Sequence, residues 1–226
     1  MSFNIAIDGP AGAGKSTIAK RVASSLSFIY VDTGAMYRAM ALYLHRNGVS
    51  AEDTETIAKE CTNADISIRY QDNEQVVLLN GENVNPYLRT EEVSRMASKS
   101  SAVPEVRAHL LALQRNLAST YNVVMDGRDI GTVILPDAQV KIFLTASPET
   151  RAKRRYEELI QKGQEADYQE VLTEIINRDA RDMNRETAPL KQAEDAFLVD
   201  SSDMTLSEVE ETICKIVRER MGENKE

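Results

Sequence analysis

Residues 4–16 read NIAIDGPAGAGKS: an apolar strand ending in Asp8, then GPAGAGKS at 9–16, which fits the pattern GxxxxGK[ST]. Ile18, Val22 and Leu26 then predict an amphipathic helix over 15–26. Strand, glycine-rich turn and helix in this order bring successive backbone N–H groups, and the positive end of the helix, around one point where an anion can sit. Gly9, Gly12 and Gly14 let the loop curl, and Pro10, Ala11, Ala13 and Thr17 complete it. Lys15 can reach the β- and γ-phosphates of a nucleoside triphosphate, and the Ser16 hydroxyl is placed to ligand Mg²⁺ directly or through water. A turn that binds nothing needs neither side chain.

Outward from this loop, short apolar runs alternate with stretches of helical period, the pattern of a parallel sheet covered by helices. Strands are predicted at Asn4–Asp8, Phe28–Val31, Asn122–Asp126, Val140–Thr145 and Ala196–Asp200. Helices are predicted over 15–26, 35–47, 54–62, 91–101, 104–119, 148–162, 167–185 and 205–220. Leu206, Val209, Ile213, Ile216 and Val217 form the apolar stripe of the last. Three of the five strands end in Asp, and ligands of open α/β sheets bind beyond the C-terminal strand ends. Between Asp65 and Asn85 the period changes to alternation, and Asn80-Gly81 is a hairpin signal, so a small antiparallel sheet interrupts the core. The fold expected is an α/β P-loop NTPase fold: a five-stranded parallel sheet with helices on both faces, the antiparallel insertion and a short lid. The closing MGENKE is expected to fray.

The chain's 226 residues, 42% of them hydrophobic, suffice for one α/β core with a modest insertion. A net charge of −9 and a pI near 5.0 argue against a general nucleic-acid or membrane-surface binder, whose partners select basic faces. Positive charge for an anionic substrate must therefore be gathered locally, and Arg supplies 17 of the 27 basic residues. Cys61 and Cys214 lack the spacing of a zinc site or redox pair and read as buried thiols. Neither a signal peptide nor a membrane-length apolar run is evident, so a cytoplasmic protein is expected.

The chain has neither an NKxD motif nor a DxxG after a strand, which argues against a GTPase. Asp126, ending the strand VVMD, reads equally as an acidic group near a Mg²⁺ shell or as a loop-entry cap. DTGAMYR at 32–38 and DGRDIG at 126–131 each follow a strand, so Arg38 and Arg128 could converge on one anion. Taken singly, each Arg is more often a surface ion pair. Arg178, Asp182 and Arg185 share a helix face, readable as solvated ion pairs or as cations stabilising a transferring phosphoryl group. His45 and His109 have no partner spacing.

GPAGAGKST, DTGAMYR, DGRDIGTVILPDAQVKIFL and INRDARDMNRETAPL occur in this order, and with them nearly the whole chain resembles the bacterial cytidylate kinase family. The P-loop is widely shared, whereas the DGRDIGT and RDxRDxNR blocks are far more specific. The resemblance implies transfer of the γ-phosphoryl group of Mg·ATP to CMP or dCMP. It implies that Thr33, Arg38, Arg128, Arg178 and Arg185 hold phosphate, with Lys15, Arg128, Arg178 and Arg185 catalytic. It further implies that Ser98, Arg107 and Asp129 read the cytosine and that Arg178 and Asp182 contact the sugar. Spacing alone reads Ser98 and Arg107 as helix surface. Thr33 stands where many members have Ser, which keeps the hydroxyl. The family pattern also implies one domain over 1–226, with core 1–62 and 103–226, a monophosphate-binding insertion over 63–102, and a lid over about 150–168 beginning with Arg151, Arg154 and Arg155. A monomer is expected, with ATP and CMP or dCMP as partners. The alternatives are a kinase of UMP or AMP, a kinase of a non-nucleotide metabolite such as shikimate, and an ATP-binding regulatory module without turnover.

Overall fold

The structure, a computed structural model, describes residues 2–71 and 74–222. In chain order the elements are β1 (Asn4–Asp8), α1 (Lys15–Leu26), β2 (Ile29–Asp32), α2 (Thr33–Arg46), α3 (Thr54–Glu60), β3 (Ile66–Gln71), β4 (Glu74–Leu79) and β5 (Glu82–Asn83). Then follow α4 (Glu91–Ser100), α5 (Pro104–Thr120), β6 (Val123–Gly127), β7 (Val140–Thr145), α6 (Pro148–Gln161), α7 (Tyr168–Asn184), β8 (Phe197–Asp200) and α8 (Leu206–Met221). The main sheet has five strands in the order β2-β6-β1-β7-β8, and β3-β4-β5 form a separate small sheet. The chain divides into two compact units, Phe3–Phe28 with the chain from Val124 onward, and Ile29–Val123 with Ser2.

In the first of these units β1 runs parallel to β7, Ile7 opposite Ile142, and β7 parallel to β8, Leu144 opposite Val199. The strands are apolar on both faces, as in a sheet covered twice: Ile5, Ile7, Met125, Ile142 and Leu144 are buried, with Ile18 and Val22 of α1 and Ile213 and Val217 of α8. Ser27 ends α1 in the left-handed region, and the Phe28 N–H donates to the Ala23 carbonyl at 2.8 Å. That helix cap uses Phe28, which is why the next strand starts at Ile29, not Phe28. Likewise, the Ala196 N–H closes a turn on Ala193, so β8 begins at Phe197. In α8 the buried stripe is Val209, Ile213, Cys214 and Val217; Leu206, expected on it, stands exposed as the first helical residue. The frayed tail expected from Met221 lies beyond the described residues after Gly222, which caps α8.

In the second unit, Met36, Met40 and Leu44 of α2, Ile57 of α3, Val77 of β4 and Leu110 of α5 are buried. Helix α2 starts two residues earlier than its period predicts, because the Asp32 side chain accepts the Ala35 N–H at 2.8 Å and begins the helix straight off the strand. Helix α3 stops at Glu60 and tightens into a single 3₁₀ turn over Cys61–Asn63. The expected hairpin is present: Leu79 pairs with Glu82 across Asn80 and Gly81, both at positive φ, the primed turn that matches strand twist. Cys61 and Cys214 are both buried free thiols. No helix among the described residues is long and apolar enough to cross a membrane.

Candidate active site

In the unit containing β1, the chain leaves the sheet at Asp8 and turns at once. A Cβ on Gly9 would lie 1.9 Å from the Leu144 carbonyl oxygen of β7, so glycine alone fits there. Helix α1 then begins with no side-chain cap and no acidic residue in its first turn. Its leading N–H groups are thus left for an anion. Lys15 is buried, and its Nζ donates to the Pro10 carbonyl at 2.7 Å. Burial pushes the Lys15 amine well below its ordinary pKa; Arg128 and Arg178 push the same way, and Asp126 and Asp8 oppose them. A bound polyphosphate would push the amine back up by placing negative charge beside it.

The Ser16 Oγ donates to Asp126 Oδ2 at 2.9 Å. Asp126 lies within β6 and not at a helix start, so of its two readings the geometry favours the acidic partner of the loop serine. A hydroxyl and a carboxylate oxygen side by side are hard donors of the kind that suit Mg²⁺, an ion that keeps several waters and takes its other ligands from phosphate.

Beyond β6 the chain makes a feature absent from the sequence reading, a π-turn over Ile130–Ile134 in which the Leu135 N–H reaches back to the Ile130 carbonyl at 2.7 Å. Of the residues before it, Arg128 meets α7 and Asp129 meets Arg185, which ends that helix in extended backbone and so does not continue its face as the spacing predicted. Arg128 Nε donates to Asp182 Oδ2 at 3.0 Å, and Arg185 pairs with Asp129 at 3.7 Å. Asp129 and Asp182 are both buried, so this face of α7 is not the solvated face that spacing also allowed. Arg178 lies half-buried on the same helix.

Arg151, read from the sequence only as the start of a lid, is buried against the phosphate loop. Its guanidinium makes a two-pronged pair with Asp179 of α7 at 3.2 and 2.6 Å, and it also donates to the Ala11 carbonyl at 2.9 Å and the Ala146 carbonyl at 2.9 Å. Five-donor geometry suits an Arg to this junction. The signal in sequence was an Arg one turn after the Ser147 cap of α6, and nothing local distinguishes it from Arg154, which binds Ser201, or from the exposed Arg155.

In the other unit, Thr33 is buried at the first position of α2. Arg38 is held by Asp32 at 3.1 Å, and its Nε has no partner among the described residues. A Cβ on Gly34 would lie 3.0 Å from the Arg38 guanidinium, so the glycine leaves room for that side chain. The Gln75 side chain fixes both the N–H and the carbonyl of Asp32, at 2.9 and 3.1 Å, anchoring the strand end to the hairpin. Arg107 is buried, not on the helix surface: its guanidinium lies 5.5 Å from the centre of the Tyr37 ring and donates to the Ser101 carbonyl at 3.2 Å. Ser98 is half-buried on α4.

A phosphate loop between strand and uncapped helix, its serine bonded to an acid on the neighbouring strand, marks the chain as a P-loop kinase-type nucleotide binder. A solved structure of an uncharacterized protein from Eubacterium ventriosum shares the fold with a TM-score of 0.53 at 14% identity, over 97% of this chain and 99% of that one. The family model for cytidylate kinase matches residues 5–219. A cytidylate kinase of Caldicellulosiruptor bescii is 51% identical over 214 residues, 95% of each chain, and one of Caldanaerobacter subterraneus subsp. tengcongensis is 52% identical over 218 residues, 96% of each. The chain therefore belongs to the cytidylate kinase family, which makes it a nucleoside monophosphate kinase.

Proposed function

We propose that the chain transfers the γ-phosphoryl group of ATP to the 5′-phosphate of CMP and dCMP, releasing ADP and CDP or dCDP. The observation that carries this reading is that Arg128 and Arg178 both lie close enough to act on buried Lys15, beside an uncapped helix N-terminus, in a chain of net charge −9. One buried and two half-buried cations in one place suit a ligand with several negative charges.

In this reading residues 9–17 cradle the ATP phosphates and Lys15 serves the β and γ groups. Ser16, with Asp126 beside it, would hold Mg²⁺, which neutralises phosphate charge when bound. Thr33, Arg38, Arg128, Arg178 and Arg185 hold the phosphates of donor and acceptor, Arg178 and Asp182 meet the sugar, and Ser98, Arg107 and Asp129 read the base. Cytosine offers an amino donor to the Asp129 carboxylate and acceptors to Ser98 and Arg107. The acceptor phosphate is already a competent oxygen nucleophile, so no protein base is needed and catalysis is positioning plus charge stabilisation. The segment 63–102 serves as the monophosphate-binding insertion of a single monomeric domain, and 150–168 as a lid that excludes water. The enzyme is read as cytoplasmic, with nucleotides and not nucleic acid as partners.

ATP consumption with CMP, compared with ATP alone, tests the reading directly. Wild type should turn over only when CMP is present, and Lys15→Met should lose about a hundredfold or more in kcat while keeping its melting temperature. Equal ATP consumption without acceptor, or a Lys15→Met enzyme of near-normal kcat, contradicts it.

A further inference from the structure

Asp8, the last residue of β1, has no part in the scheme above, yet it is 5% exposed and both its carboxylate oxygens are engaged. Oδ1 accepts the Ile130 N–H at 2.8 Å and Oδ2 accepts the Gly131 N–H at 2.7 Å. These are the first two amides of the π-turn, immediately after Arg128 and Asp129. Position 131 is itself crowded: a Cβ there would lie 3.1 Å from the Lys141 side chain and 3.4 Å from the Asp8 carboxylate, so the glycine lets the backbone come down onto the acid. The residue after Asp8 is Gly9, the first of the phosphate loop. One carboxylate thus ties the strand that launches the phosphate loop to the turn that carries two residues of the acceptor side.

We propose that Asp8 is a positioning residue for the acceptor nucleotide: its ionised carboxylate clamps the Ile130 and Gly131 amides and so fixes the aim of Arg128 and Asp129. This rests on the reading that Arg128 and Asp129 contact the acceptor. A clamp on two N–H groups needs two acceptor oxygens; the protonated acid offers one and turns a hydroxyl toward the other amide. Three charged groups face Asp8: Asp129 from the turn, Lys15 from α1, and Lys141 from β7, whose methylenes line Gly131. Lys141 is itself paired with Asp195 at 2.8 Å, and Lys15 favours ionised Asp8 while Asp129 opposes it. Burial outweighs the two amide bonds and Lys15 and pushes the carboxyl up to about 6. The clamp is therefore fully set near pH 7.5 and loosens below pH 6.

Steady-state constants for both substrates test this in the full-length chain. Asp8→Asn keeps the shape and removes one acceptor oxygen, so its KM for CMP should rise about tenfold to a hundredfold at pH 7.5, with KM for ATP within about threefold of wild type. The CMP phosphate titrates near pH 6 in both enzymes. The informative quantity is thus the ratio of kcat/KM for CMP, wild type over variant, which should shrink as pH falls from 7.5 to 5.5 as the wild-type acid protonates. An unchanged KM for CMP, an equal rise in both KM values, or a ratio flat with pH overturns the inference. Arg128→Ala and Asp129→Ala are the controls: if they leave KM for CMP unchanged, the acceptor reading itself fails; if they raise it and Asp8→Asn does not, only the role of Asp8 fails. Amide resonances of Ile130 and Gly131 in the ligand-free wild type need no variant. They should titrate together near pH 6, and flat shifts at both would overturn the clamp.

Discussion

The hydroxyl of Ser16 and the carboxylate of Asp126 meet at 2.9 Å although 110 residues separate them in the chain. One ends up at the start of α1 and the other near the end of β6 because parallel strands deliver their C-terminal ends to the same edge. If this pair holds Mg²⁺ with its water shell, Asp126→Ala should raise the Mg²⁺ concentration for half-maximal activity about tenfold to a hundredfold. Activity titrated against free Mg²⁺ at constant ATP checks this, and an unchanged midpoint would return Asp126 to a structural role.

Two ion pairs join the 128–129 segment to α7 and to Arg185 at its C-terminal cap. Asp182 orients Arg128 and Asp129 meets Arg185, so both cations are already in place before a ligand arrives. Preorganised charge matters most where charge develops, and Arg128→Ala or Arg185→Ala should lower kcat by about two or three decades. Single-turnover rates at saturating substrates separate this from weaker binding, and an unchanged rate would remove that Arg from catalysis.

Arg151 and Asp179 are both buried, and removing one leaves the other charged and unpaired. That arrangement costs about 3–5 kcal/mol when broken from one side. Asp179→Asn should therefore lower the urea midpoint sharply, and because Arg151 also holds the Ala11 carbonyl of the phosphate loop, it should raise KM for ATP more than KM for CMP. Denaturation and the two KM values together check this.

Asp8 gives a pH signature in stability as well as in binding. Its carboxyl is raised from 3.8 to about 6 on folding, so the folded state holds the proton more tightly than the unfolded chain. The associated stability is fully present below pH 3.8 and is lost as pH rises through about 6. Asp8→Asn removes this dependence, so its urea midpoint should gain on wild type between pH 4 and pH 7. A constant difference between the two proteins across that range would contradict the shift.

What the sequence made legible was local. The phosphate loop, the strands Asn4–Asp8 and Val140–Thr145, helix 15–26 and the Asn80-Gly81 turn are each encoded within a dozen residues, by glycine conformational freedom, apolar period or turn chemistry. What stayed hidden depends on partners far along the chain. Asp8 looked like the end of a strand because its two amide donors come from residues 130 and 131. Arg151 looked like one basic residue among three because Asp179 lies 28 residues on. Arg107 read as surface because its burial is set by Tyr37 of α2 and a turn at Ser101, neither adjacent to it in sequence.

Phosphorylation of cytidine monophosphate with its base read through Asp129 is checked by kcat/KM for CMP and UMP in wild type and Asp129→Ala at saturating Mg·ATP. Uracil puts a carbonyl where cytosine has its amino group, and a buried carboxylate facing it loses a hydrogen bond and gains repulsion, at a cost of about 1–3 kcal/mol or more. Wild type should prefer CMP at least about tenfold, with dCMP also accepted, and Asp129→Ala should lose more with CMP than with UMP, narrowing the ratio. A wild type that prefers UMP, or a ratio that Asp129→Ala leaves unchanged, would mean that Asp129 does not select cytosine.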